Sequence, residues 1–136
     1  MHLETTFCVA RSLEFVLATL DLDETLVALL PGRSEVIDTY KQRKTTSTEY
    51  AALDRDRPAI FHFEFFADGR VVYRKECDGV VWEEFGGDVR AEVEGPSTRV
   101  WISMKGHTKP GIPEFAIKGP MEDQLFHMAE ALEALL

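Results

Sequence analysis

Two carboxylates lie close together near the start of the chain, in the stretch LDLDETLV from Leu20 to Val27. Asp21 could attack a phosphate ester beside a magnesium ion if it stood at the C-terminal end of a buried parallel strand. The same letters also suit a helix start, with Asp21 as N-cap and Asp23 and Glu24 as anions in the first turn. The elements around the stretch decide between these two interpretations.

The stretch resembles the first motif of the haloacid-dehalogenase-like phosphatases, which implies that Asp21 is the nucleophile and Asp23 the general acid and base. Such an enzyme also needs a later Ser or Thr, a Lys and an acidic pair, around a parallel sheet with helices between its strands. Residues 33 to 105 indicate short hairpins instead, and the acidic segment from Gly87 to Glu92 has no fitting Ser, Thr or Lys before it. We therefore favour the helix start and keep the phosphatase as an alternative.

Size and charge restrict the class of protein. The 136 residues, 45% apolar and 29% charged, are typical of one globular domain, so we expect residues 1–136 to form a single domain. A net charge of −9 argues against a nucleic-acid partner. No apolar run is long enough for stable membrane insertion, and no signal peptide is recognisable, so we expect a cytoplasmic protein.

The first elements follow from a change of period. Residues 2 to 9 alternate as a half-buried strand. Ser12 can cap a helix that runs to Leu20, and a second short helix follows until Pro31-Gly32 stops it.

An antiparallel meander follows, because turn signals recur about every ten residues. They are Asp68-Gly69, Asp78-Gly79, Gly86-Gly87-Asp88 and Gly95-Pro96. Together with the first strand they predict about eight strands, the others being residues 36–40, 45–52, 59–66, 71–77, 80–85, 89–94 and 98–104. After Gly119-Pro120, a stripe from Met121 to Leu135 with spacings of 4 and 3 predicts a C-terminal helix.

In this order the chain resembles the START-like helix-grip superfamily, which includes polyketide cyclases, lipid-transfer domains and pollen allergens. The closest local match is Val9 to Val16 followed by Asp21 to Gly32. The resemblance implies an α+β fold, with a curved antiparallel sheet of about six to eight strands wrapped around the long C-terminal helix and two short helices after the first strand. It also implies a cavity between sheet and helix that holds a hydrophobic ligand such as a lipid or polyketide.

Candidate ligand-binding residues are the large apolar and aromatic side chains that this arrangement turns inward, although such stripes also fill ordinary cores. They are Phe61, Phe63, Phe65, Tyr73, Trp82, Trp101, Met121, Leu125 and Met128. His62 and Glu64 alternate with the phenylalanines, so we expect a solvated pair on the outer face; an inverted face would make them an acid–base pair. Trp101 could instead contact the helix or a second copy in a homodimer.

No catalytic set is recognisable. The serines lack a nucleophile elbow, no glycine-rich phosphate loop opens a helix, and the histidines lack metal-ligand spacing, so we expect neither cofactor nor metal. We therefore predict a domain that binds a hydrophobic or aromatic small molecule. The alternatives are an interaction module of the same fold with a filled cavity, and a cyclase-like enzyme.

Overall fold

The computed structural model describes residues 1–49, 58–77 and 79–136. The chain begins with strand β1 (His2–Val9) and continues with two short helices, α1 (Leu13–Leu20) and α2 (Asp23–Leu29). As predicted, the Ser12 hydroxyl caps α1, accepting a hydrogen bond from the Phe15 backbone N–H at 3.1 Å.

Asp21 does not cap α2, and that prediction is wrong. The residue ends α1 instead, where its backbone N–H donates to the Leu17 carbonyl at 3.3 Å. The extended residue before α2 is Leu22, which has no side-chain oxygen to offer the first turn. Asp21 thus ends α1, and the next residue, Leu22, precedes the first turn of α2.

Six further strands complete one antiparallel sheet. They are β2 (Arg33–Tyr40), β3 (Arg43–Glu49), β4 (Ala59–Phe65), β5 (Val71–Lys75), β6 (Trp82–Glu94) and β7 (Ser97–Thr108). Their order is β1-β7-β6-β5-β4-β3-β2, so the first strand pairs with the last, with Leu3 opposite Met104. Seven strands thus stand in the described part of the chain where the turn signals predicted about eight.

The difference arises at Gly86-Gly87-Asp88, which is not a turn but the middle of β6. A Cβ at Gly86 would lie 2.5 Å from the Tyr73 carbonyl oxygen, and one at Gly87 would lie 2.6 Å from the Tyr73 hydroxyl. Glycine is needed here for close approach of other groups to the backbone, not for a reversal of the chain. The predicted strand residues 50–52 and the turn residue Asp78 lie outside the described residues.

Helix α3 (Glu114–Leu135) begins about two turns before the predicted start at Met121, with Pro120 inside it. Proline removes one backbone donor from a helix and is normally unfavourable there. Ile117 and Met121 are both buried, so the apolar stripe continues on both sides of the proline. Tertiary packing therefore outweighs the local signal at Gly119-Pro120.

Helix α3 packs against β1, β7 and α2. The buried side chains of sheet and helices form one core, to which α3 contributes Ile117, Met121, Leu125, Met128 and Leu132. This confirms the helix-grip fold that the resemblance implied. None of the helices in the described residues combines the length and the hydropathy of a membrane-spanning segment.

The close approach at Gly87 can be tested by adding one methyl group. Because the new Cβ would collide with the Ser103 carbonyl and the Tyr73 hydroxyl, we expect Gly87→Ala to lower the free energy of unfolding by about 2 to 3 kcal/mol. Gly119→Ala is the matched control: its Cβ would enter open space, so we expect a change below about 1 kcal/mol. Urea denaturation measures both, and equal effects would contradict the steric explanation.

Candidate functional site

A cavity of about 330 Å³ lies between the inner face of the sheet, the end of α2 and the first half of α3. Among the residues that the structure describes, its wall includes Leu29, Leu30, Pro31, Phe61, Phe63, Tyr73, Lys75, Val81, Trp82, Phe85, Met104, Ile117, Pro120, Met121, Gln124 and Met128. Two residues of this wall, Pro31 and Pro120, are themselves exposed to solvent.

Strand register places the aromatic part of the wall. Inward residues alternate along β4, and Phe61 and Phe63 stand opposite Lys75 and Tyr73 of β5. The row continues from Tyr73 to Gly87 of β6 and then to Met104 of β7. Since Gly87 has no side chain, the Tyr73 ring occupies the space above β6.

The hydroxyl of Tyr73, a residue of the cavity wall, is fixed by its neighbours. It donates a hydrogen bond to the Ser103 carbonyl at 2.7 Å and lies 4.0 Å from the Met128 sulfur. Burial raises the pKa of Tyr73 far above its ordinary value, and the negative charge of Asp88 raises it further. Tyr73 therefore stays protonated at neutral pH and is poorly suited to act as a general base.

Polar side chains hold α2 at both of its ends. The Gln124 amide donates to the Leu29 carbonyl at 3.1 Å, and His127 Nε2 lies 3.2 Å from the Ala28 carbonyl. Both carbonyls belong to the last turn of the helix, where carbonyl oxygens have no N–H partner within the helix itself. At the other end, Lys44 of β3 pairs with Asp23 at 2.8 Å. The wall that α2 forms is thus tied to α3 and to the sheet.

Six predicted ligand-binding residues line this cavity, namely Phe61, Phe63, Tyr73, Trp82, Met121 and Met128. Leu125 is buried in the core beside the cavity wall. Phe65 is half-buried at the end of β4, where the Lys44 ammonium lies 5.3 Å from its ring centre. Whether any of these residues contacts a ligand stays a prediction.

Trp101 lies on the opposite face of the sheet from the cavity. Val100 and Ile102 are fully buried on the inner face, so the residue between them must point outward. There the Arg90 guanidinium lies 5.0 Å from its ring centre. The expected contact of Trp101 with the cavity or α3 is corrected accordingly, and its contact with a second copy stays a prediction.

His62 and Glu64 are on the outer face, as expected, but they do not pair with each other. His62 contacts Glu76 of the neighbouring segment, whereas Glu64 pairs with Arg43 at 3.6 Å. Within the described residues there is no group of three His, Cys, Asp or Glu side chains that could hold a metal ion.

The strand directions overturn the phosphatase alternative. Every described strand pair is antiparallel, and Asp21 stands between two helices instead of at the tip of a parallel strand. In this place the stretch LDLDETLV has a structural role. Lys44 Nζ donates to the Asp21 carbonyl and to the Asp23 carboxylate, which fixes α2 on β3.

Lys75, Gln124 and Ile117 are among the residues of the cavity wall that sequence reasoning missed. The alternation along β5 already placed Lys75 on the same face as Tyr73, and that signal could have identified it. No sequence signal identified Ile117, because the Gly119-Pro120 pair hid the first turns of α3.

Neither a protein-family model nor a curated protein matches this sequence. Among solved structures, a START superfamily protein from Mycobacterium smegmatis is similar, at 18% identity and a TM-score of 0.71, covering 98% of this chain and 94% of that one. The Zhui aromatase/cyclase from Streptomyces sp. R1128 is similar at 13% identity and a TM-score of 0.75, and the match covers 99% of this chain and 90% of that one. Norcoclaurine synthase from Thalictrum flavum is similar at 16% identity and a TM-score of 0.75, and the match covers 99% of this chain and 85% of that one. These likenesses show that the chain has the START-like helix-grip fold.

The environment of Tyr73 predicts how stability depends on pH. The pKa of Tyr73 is about 10 in the unfolded chain and higher in the folded protein. The protonated side chain therefore contributes its full share of the free energy of unfolding below about pH 10, and this share declines as the pH rises above that value. We expect the free energy of unfolding to fall there by up to about 1.4 kcal/mol per pH unit from this group.

Tyr73→Phe should cost about 1 to 2 kcal/mol at neutral pH, because the Ser103 carbonyl loses a donor, and should remove this part of the alkaline decline. Tyr40→Phe, at an exposed position, is the control. Urea denaturation between pH 8 and 11 measures both variants. Identical pH profiles for wild type and Tyr73→Phe would show that the assignment is wrong.

Proposed function

We propose that this helix-grip domain binds a small hydrophobic or aromatic molecule in the cavity between the sheet and α3. The observation that carries the proposal is the cavity itself, about 330 Å³ in volume with a mainly apolar wall. Ligand sites in proteins have this character and start at roughly 300 Å³. We further propose that residues 1–136 act as one domain, which the pairing of β1 with β7 supports.

The volume limits the size of the ligand. An apolar protein cavity of about 150 Å³ holds one benzene ring. The present cavity is about twice as large. It therefore suits a ligand of about two fused rings, or an alkyl chain of comparable volume, and not a long lipid with two acyl chains.

The residues of the cavity wall offer a ligand three kinds of contact. Phe61, Phe63 and Trp82 offer flat surfaces on which an aromatic ligand can stack. Met121 and Met128 of α3 are flexible and polarisable, so they can adapt to ligands of different shape. The Tyr73 oxygen, whose proton points at Ser103, remains able to accept a hydrogen bond from a ligand hydroxyl.

The two alternatives have weaker support. An interaction module with a filled cavity conflicts with the open volume beneath α3. A cyclase-like enzyme is suggested by the name of one similar structure, the Zhui aromatase/cyclase, yet the proton of Tyr73 is held by the Ser103 carbonyl instead of being ready for transfer. A homodimer and a cytoplasmic location remain predictions from the sequence.

Blocking the cavity tests the proposal. Ile117 lies in its wall and is 8% exposed, whereas Phe115, two residues earlier in the same helix, is 84% exposed. We expect 2-naphthol to raise the melting temperature of the wild type, since ligand at about 100 times Kd adds about 2.7 kcal/mol of stability. Ile117→Trp should weaken binding at least tenfold, because the indole occupies the ligand's space.

Phe115→Trp adds the same side chain on the solvent side of α3 and should bind 2-naphthol as the wild type does. Calorimetric titration and thermal unfolding provide the readouts, and unfolding also reports whether each variant folds. If neither 2-naphthol nor octanoic acid binds at millimolar concentration, or if both variants bind equally well, the proposed function is wrong.

A further inference from the structure

One charged side chain, that of Lys75, belongs to the described part of the cavity wall. It is on the inner face of β5, opposite Phe61, and is 8% exposed. Lysine is among the residues least often buried, because its ammonium loses hydration when it leaves water. Lys75, together with the contacts it makes within the protein, therefore places a positive charge in a wall whose other described residues are apolar or neutral.

Each neutral hydroxyl or amide side chain in the described part of the wall already donates a hydrogen bond within the protein. Tyr73 donates to the Ser103 carbonyl, and the Gln124 amide donates to the Leu29 carbonyl. An ammonium carries three N–H donors, so Lys75 can bind a ligand alongside the contacts it makes within the protein. Hydrogen bonds to a charged group are also stronger than neutral ones, particularly in surroundings of low dielectric constant.

We propose that the ligand is an organic anion, with a compact apolar body that fills the aromatic cavity and a carboxylate that contacts the Lys75 ammonium. This inference rests on the proposed function and specifies the ligand class of the same site. The net charge of −9 repels anions from the surface as a whole. Selection must therefore come from the short-range contact inside the cavity, where the surface charges act weakly because salt at physiological concentration screens exposed charges beyond about 8 Å.

Pairs of probes that differ only in the polar group test this selection. We would measure 2-naphthoic acid against 2-naphthalenemethanol, and octanoic acid against 1-octanol, by calorimetric titration at pH 7. One pair has an aromatic body and the other an aliphatic one. In the pair whose body the cavity prefers, the carboxylate should bind at least about tenfold more tightly than its alcohol. The two pairs also show which body the cavity prefers.

Lys75→Met tests the residue, since methionine keeps much of the length and the apolar stem but removes the charge. It should abolish the preference for the carboxylate while leaving the affinity for the alcohol within about threefold. Lys105→Met is the matched control, because Lys105 is exposed on the outer face of β7 and loses the same charge at a residue that does not line the cavity. Thermal unfolding verifies that both variants are folded.

The outcomes separate this inference from the function on which it rests. A carboxylate preference that disappears in Lys75→Met and persists in Lys105→Met supports it. If alcohols bind as tightly as acids in the wild type, or if the preference survives in Lys75→Met, the inference is overturned while ligand binding in the cavity stands. If no probe binds, both fail; the wild-type comparison decides even if Lys75→Met does not fold.

Discussion

Where β6 passes Tyr73, the inner face of the sheet has no side chain, because residue 87 is glycine. This steric constraint determines much of the interior. The ring of Tyr73 can lie over β6, its hydroxyl can reach the Ser103 carbonyl of β7, and the cavity keeps its volume between this floor and α3. A methyl group at the same place would collide with the Tyr73 hydroxyl and so displace a side chain of the cavity wall. One missing side chain thus links sheet packing to the shape of the site.

The period of the apolar pattern was a good guide to which face of an element each side chain occupies. Glycine and proline were a poorer guide to where the elements end. Alternation placed Phe61, Phe63 and Tyr73 inward, since one buried face leaves a strand no other register. Glycine has two uses, reversal of the chain and close approach to it, and the sequence at Gly86-Gly87 is the same for both. Pro120 likewise reads as a helix stop, because the burial that overrides it comes from distant residues.

Helix α2 shows how a short element can become a reliable wall. Seven residues are too few for a stable helix by themselves, and α2 has no side-chain cap at its start. Lys44 binds it at one end, and Gln124 and His127 bind it at the other. These partners belong to β3 and α3, and none of the pairings is visible in the local sequence. The sequence therefore predicted the existence of α2 but neither its cap nor its role beside the cavity.

The pairing of β1 with β7 also affects how the molecule folds. The N-terminal amine of Met1 donates to the Gly106 carbonyl, 105 positions later in the chain. During synthesis β1 leaves the ribosome long before its partner strand exists, and until then its half-buried face, including Leu3 and Phe7, remains accessible to other chains. Closing so long a loop late is slow and favours aggregation of unfinished molecules. Expression at low temperature or with holding chaperones should therefore benefit this protein more than a helical bundle of the same length.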